Sequence, residues 1–132
     1  VPTDADPVEI AAVVLEDHGR LLIARRLNHA VLGGYWEFPG GKRRPREPLL
    51  ACLRREVDEE IGVAIQVGDV LARVAHRYPH GRVNITFFRG VVTSGTPTPR
   101  GCAEVRWVAP SELSQYRFPP ANQTLIQRLS VR

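Results

Sequence analysis

A chain of 132 residues suffices for one compact domain around a single core and is too short for two. Apolar residues make up 43% and charged residues 24%, the balance of a soluble globular protein, and no apolar run reaches the length of a membrane span. The net charge of +4 suits an anionic ligand, although scattered solvated arginines would give the same total; two cysteines, Cys52 and Cys102, exclude a disulfide scaffold and suggest buried thiols in a reducing compartment.

Residues 1–7 carry no signal-peptide stretch and are expected to form a flexible lead into the domain. Methionine is absent throughout, which suggests an initiator removed or a domain cut from a longer chain. The apolar runs 8–15 and 21–24 flank Asp17-His18-Gly19 and predict a hairpin. Residues 36–38 form a short strand stopped by Pro39-Gly40-Gly41. From 47 to 61 no glycine intervenes, and Leu49, Leu50, Leu53, Val57 and Ile61 recur at helical spacing, so a helix ending at Gly62 is predicted. Strands are expected over 67–74 and 83–92 around Tyr78-Pro79-His80-Gly81, then a loop over 93–101, a strand over 104–108, a short helix from Pro110 and a last helix over 121–129. Trp36 and Trp107 fall in strand patterns as core anchors, and His29, His76 and His80 lack metal-ligand spacing. This order implies an α+β fold: a single domain over 1–132, built as an α/β/α sandwich around a mixed β-sheet.

The chemistry is concentrated between residues 41 and 63. Glu56 precedes Glu59 by three residues and Glu60 by four, so the three carboxylates can share one helix face. Like charges so placed repel, and hard cations such as Mg²⁺ between them would offset the repulsion. Taken alone, the run reads as a solvated acidic face, and Arg55 as a surface ion pair. The surrounding residues change that reading. Gly41, Glu47, Arg55, Glu56, Val57, Glu59, Glu60, Gly62 and Val63 occupy every fixed position of G-x5-E-x7-R-E-U-x-E-E-x-G-U, with U aliphatic. In this the chain resembles the Nudix hydrolases. The resemblance implies the Nudix fold and a metal-dependent pyrophosphohydrolase using Mg²⁺, with Mn²⁺ as substitute, that releases a nucleoside monophosphate and pyrophosphate. It places the metal at Gly40, Glu56, Glu59 and Glu60, assigns catalytic roles to Glu56, Glu59 and Arg55, and has Glu47 and Arg55 holding loop and helix together.

The resemblance extends over residues 8–129 and is nearest the MutT-like subgroup, which hydrolyses oxidised purine triphosphates. Arg25-Arg26, the run from Trp36 to Gly41 and Phe118-Pro119-Pro120-Ala121-Asn122 carry it. By that resemblance Asn122 reads the base, in competition with a plain helix N-cap. Oxidation at C8 of guanine turns N7 from acceptor to donor, a difference that a few buried polar contacts can discriminate. Val8, Ile10, Tyr78 and Ile85 match pocket positions but also suit ordinary packing; Arg26 would hold a phosphate and Arg82 flank the base, with solvated side chains as the rival reading. Counting back from Trp107, the loop glutamate usual in the subgroup falls at Gly101. Glu104, the only carboxylate between Gly90 and Trp107, either takes that place as a further catalytic group or is an edge residue. The expected protein is a cytoplasmic monomer acting on a nucleoside triphosphate without membrane association. Two alternatives stand beside it: an oxidised-guanine recognition domain of an adenine DNA glycosylase, with DNA as partner, and a pyrophosphatase for cytidine triphosphates or for general house-cleaning.

Overall fold

The computed structural model describes residues 6–79 and 81–130. Most of the lead segment 1–7, and His80 of the expected turn, lie outside the described residues.

Strand β1 (Val8–Asp17) is the axis of the molecule. Its alternate side chains feed two cores: Ala12 and Val14 face one, Ala11, Val13 and Leu15 the other. β1 turns into β2 (Arg20–Arg25) through His18 and Gly19, both at positive φ (50° and 78°), which makes the two-residue hairpin turn whose twist matches the strands. β2 then pairs with β3 (Trp36–Glu37) and with β7 (Glu104–Val108). On its other reach β1 lies parallel to β6 (Gly81–Ser94), from Val8 opposite Val83 to Leu15 opposite Gly90, and β6 pairs antiparallel with the edge strand β5 (Ala64–Tyr78).

The short strand stops as predicted, at Glu37 rather than Phe38, but the Pro39-Gly40-Gly41 run leads directly into a further strand. The Pro39 carbonyl accepts the Val13 N–H at 2.9 Å, and Gly40–Lys42 becomes β4, antiparallel to β1. A Cβ at Gly40 would collide with the Ala11 carbonyl, so glycine here permits the chain to cross from β2 to β1. β5 and β6 also run beyond their predicted limits. Register shifts between Val67 and Val70 and between Val70 and Ala72 break the alternation of β5, so its apolar pattern alone marks it too short.

Helix α1 (Leu49–Ile61) begins two residues later than predicted. Proline at position 48 disfavours helical geometry for Glu47, which therefore stays in the loop. The helix ends as expected at Gly62, whose left-handed conformation lets its N–H reach the Asp58 carbonyl. Cys52, Leu53, Val57 and Ile61 are buried against one sheet face, while Leu50 is 46% exposed and falls off the predicted stripe. The opposite face is covered by a 3-10 turn (Pro110–Gln115), a second 3-10 turn (Pro120–Asn122) and helix α2 (Gln123–Ser130), which start the last helix two residues later than expected. Leu113, Phe118, Leu125, Ile126 and Leu129 seal that side. The result is the predicted α+β sandwich with helices on both faces of a mixed sheet. Trp36 is a core anchor, edge-on to Tyr116 at 5.1 Å; Trp107 is only partly buried, at the margin of the α1 core. Cys52 and Cys102 are buried and unlinked, and burial raises both thiol pKa values, that of Cys102 to about 11. Among the described residues no helix is long and apolar enough to cross a membrane.

Candidate active site

Arg55 ties the loop before α1 to the helix. Its Nε and Nη2 each donate to a Glu47 oxygen at 2.8 Å, a bidentate pair; Nη1 reaches Glu56 at 2.5 Å and Glu59 at 3.3 Å, and Nη2 also donates to the Lys42 carbonyl at 3.1 Å. The guanidinium and the Arg44 N–H hold the Glu47 carboxyl down at about 2, and Glu47, with Glu56, pushes the Arg55 pKa further up. Lysine, with one point charge, could not span these acceptors.

Glu56 and Glu60, one helical turn apart, line a cleft of about 280 Å³ with Gly40, Gly41, Glu37 and Gly101. A Cβ on Gly41 would strike the Glu56 carboxylate, so the glycine leaves room for it. Glu60 is pushed up to about 9, first by burial and then by the neighbouring Glu37 and Glu56 charges, and its Oε1 is buried without a hydrogen-bond partner among the described residues. A buried, unsatisfied carboxylate oxygen beside a second carboxylate fits a hard cation. Glu59 lies at the rim, 52% exposed, between Arg55 and Arg44, and does not line the cleft. Among the described residues no three acidic, histidine or cysteine side chains converge ready-made on one point; Arg55 instead pairs with both Glu56 and Glu59.

A second, more apolar cavity of about 240 Å³ opens beside this cleft, sharing Arg26, Glu37, Gly40, Gly41 and Lys42 as its wall. Val8, Ile10, Tyr78, Arg82, Ile85 and Asn122 all line it, so the structure gathers in one place the pocket residues expected from β1, β5, β6 and the last turn. Asn122 is 6% exposed, and its side chain makes no hydrogen bond among the described residues; the N-cap bond suggested by the local sequence is not formed. Arg26 is at the wall, but its Nη1 is taken by both Glu37 oxygens (3.1 and 3.0 Å) and its Nε by the Val31 carbonyl (2.7 Å).

Glu37 had no role assigned from sequence. Burial raises its pKa against the opposing pull of Arg26, and it stands between the two cavities. The signal was present, a charged residue between Trp36 and Phe38 in a short strand, yet a charge in a two-residue strand passes for an edge residue. Glu104 is not brought to the cleft. It faces Arg25 across β2 and β7, and its oxygens pair with Arg106 at 2.6 Å and Arg25 at 3.3 Å, which lower its pKa, Arg106 the more. Gly101, where the loop acid was expected, does line the cleft and donates its N–H to the Glu60 carbonyl at 2.9 Å.

Comparison with known proteins gives a consistent result. Residues 10–128 match the family model of the NUDIX domain. The 8-oxo-dGTP diphosphatase of Haemophilus influenzae is 32% identical over 127 residues, covering 96% of this chain and 93% of that protein. The CTP pyrophosphohydrolase of Escherichia coli is 29% identical over 120 residues, covering 91% and 89%. The crystal structure of the MutT protein from Methanosarcina mazei shares the fold, with a TM-score of 0.84 over 96% of each chain at 24% identity.

Proposed function

Because this chain belongs to the Nudix hydrolase family and is a pyrophosphohydrolase, we propose that it converts oxidised purine nucleoside triphosphates, 8-oxo-dGTP above all, to the monophosphate and pyrophosphate. The observation that carries the substrate class is Asn122: a nearly buried amide with no hydrogen bond among the described residues, on the wall of an apolar cavity that adjoins the carboxylate cleft. A base enclosed there leaves its phosphates at the cleft. The Asn122 side chain offers both a donor and an acceptor to the base edge. Val8, Ile10 and Ile85 pack against its faces, Tyr78 and Arg82 border it, and Arg26 stands where base cavity and phosphate cleft meet.

Glu56, Glu60 and the Gly40 carbonyl, joined by Glu59 from the rim, would hold Mg²⁺, or Mn²⁺ in its place, which when bound neutralises phosphate charge and makes a nearby water more acidic. A carboxylate oxygen of Glu56, or of Glu59 at the rim, accepts a proton as the water oxygen bonds to phosphorus and the anhydride bond joining the monophosphate to the pyrophosphate breaks. Arg55 and Glu47 keep these carboxylates on a fixed loop and helix. The pairing of Glu104 with Arg25 and Arg106 favours proton transfer by the helix glutamates alone. The unlinked, buried thiols accord with a reducing, cytoplasmic setting, and one chain carries every group named, which accords with a monomer.

The likeness to a CTP pyrophosphohydrolase makes cytidine triphosphate the second substrate to test. Turnover of 8-oxo-dGTP, dGTP and CTP with Mg²⁺ decides between them. The proposal expects the highest kcat/KM on the oxidised nucleotide, and it expects Asn122→Ala to raise KM for that nucleotide far more than for dGTP. Preference for CTP, or equal losses on both purines, would overturn the substrate assignment.

A further inference from the structure

Resting on the base-reading role of Asn122, we infer that Tyr78 is its positioning residue: the phenol hydroxyl caps the 3-10 turn that carries Asn122 and fixes that turn to the end of β5. The turn Pro120–Asn122 has few donors of its own. Pro119 and Pro120 have no N–H. The Asn122 N–H is used by the Pro119 carbonyl at 3.0 Å, and the Gln123 N–H by the Pro120 carbonyl. The Ala121 N–H is left over, at a buried residue, where an unmet donor is costly.

A side chain at the start of such a turn would ordinarily accept it, but the residue there is Pro119, which has none to offer. The Tyr78 Oη takes its place, accepting the Ala121 N–H at 3.2 Å from a strand far away in sequence. The Tyr78 ring is itself steadied by His76, with centroids 4.5 Å apart. Tyr78 is opposite Gly81 at the closing end of the β5–β6 hairpin, and both line the base cavity with Arg82 and Asn122. The hydroxyl therefore joins the two walls of the cavity and sets the depth at which the Asn122 amide meets the base.

Tyr78→Phe keeps the ring and removes the hydroxyl, and with it the acceptor for the Ala121 N–H. Amide exchange by NMR should then quicken at Ala121, and KM for 8-oxo-dGTP should rise roughly three- to tenfold, the scale of one hydrogen bond, with kcat little changed. In an Asn122→Ala background the same change should add almost nothing to KM, since Tyr78 acts through Asn122. Unaltered Ala121 exchange would overturn the inference. So would a full additional rise in KM in the Asn122→Ala background, which would make Tyr78 an independent contact with the base. Should the base-reading role itself fail, Asn122→Ala alone would leave KM unchanged, while Ala121 exchange would still report whether the hydroxyl caps the turn.

Discussion

Glu60 is the residue at which the metal-free protein works against itself. Its pKa in the folded state, about 9, exceeds the ordinary 4.5, so between these values the native state keeps a proton that the unfolded chain has released. Stability should therefore fall as pH rises through that window, most steeply in chelator, and Glu60→Gln should flatten the slope. Thermal melts of both proteins across the window test this, and Mg²⁺ should raise Tm most at the alkaline end, where the carboxylate is ready to bind it. Glu56→Gln and Glu59→Gln should each cut turnover by roughly 10²–10⁴-fold while circular dichroism stays unchanged; near-normal activity in both would exclude the carboxylate cluster as the catalytic site. Glu104→Gln should leave kcat little altered, because the side chain is engaged by Arg25 and Arg106 away from the cleft. A fall of the same size as for Glu56→Gln would return Glu104 to the chemistry. Placing an acid at position 101 meets resistance: a Cβ there would lie 3.2 Å from the Glu59 carbonyl oxygen and 3.3 Å from the Glu60 Cα, both backbone atoms, so loop and helix would have to ease apart slightly.

At the scale of elements, the glutamate motif is a clamp between a loop and a helix as much as a set of ligands. Arg55→Lys should lower both kcat and Tm, since charge is retained but the fork across Glu47, Glu56 and the Lys42 carbonyl is lost. A lysine variant with wild-type kcat would show that charge alone suffices. The Glu47 carboxyl, held at about 2, contributes stability that is fully present above its ordinary 4.5 and is lost as pH falls through 2, a limb that Glu47→Gln should remove from the acid melt. Much of this was legible in the sequence, because motif spacing and helix period report local geometry directly. The start of α1 was misplaced since periodicity does not register the constraint that Pro48 puts on Glu47. The role of Glu37 was missed for a different reason: its burial depends on Arg26 and on the junction of two cavities, neither visible from its neighbours in the chain.

The molecule as a whole carries +4, against a substrate whose phosphates are strongly anionic. Raising ionic strength from about 0.01 M to about 0.15 M shortens the screening length from roughly 30 to 8 Å, so kcat/KM should fall several-fold if the basic surface steers the nucleotide. A flat profile would mean that the arginines act only locally. The layered architecture was foreseeable from the order of strands and helices, but the path within the sheet was not. Hydrophobic alternation cannot say that β1 lies parallel to β6 or that Gly40–Lys42 crosses to β1, since pairing partners leave no mark on a strand's own period. That parallel pairing also has a consequence in time. Five elements lie between β1 and its partner, so during synthesis an apolar run, Ala11-Ala12-Val13-Val14-Leu15, emerges long before β6 exists to cover it. The β5–β6 hairpin can form from local contacts, whereas closing β1 against it must await nearly the entire sheet. The axis of the finished fold is thus its late-forming, aggregation-exposed part, and substitutions that lower the stickiness of β1 in the nascent chain should raise soluble yield before they alter catalysis.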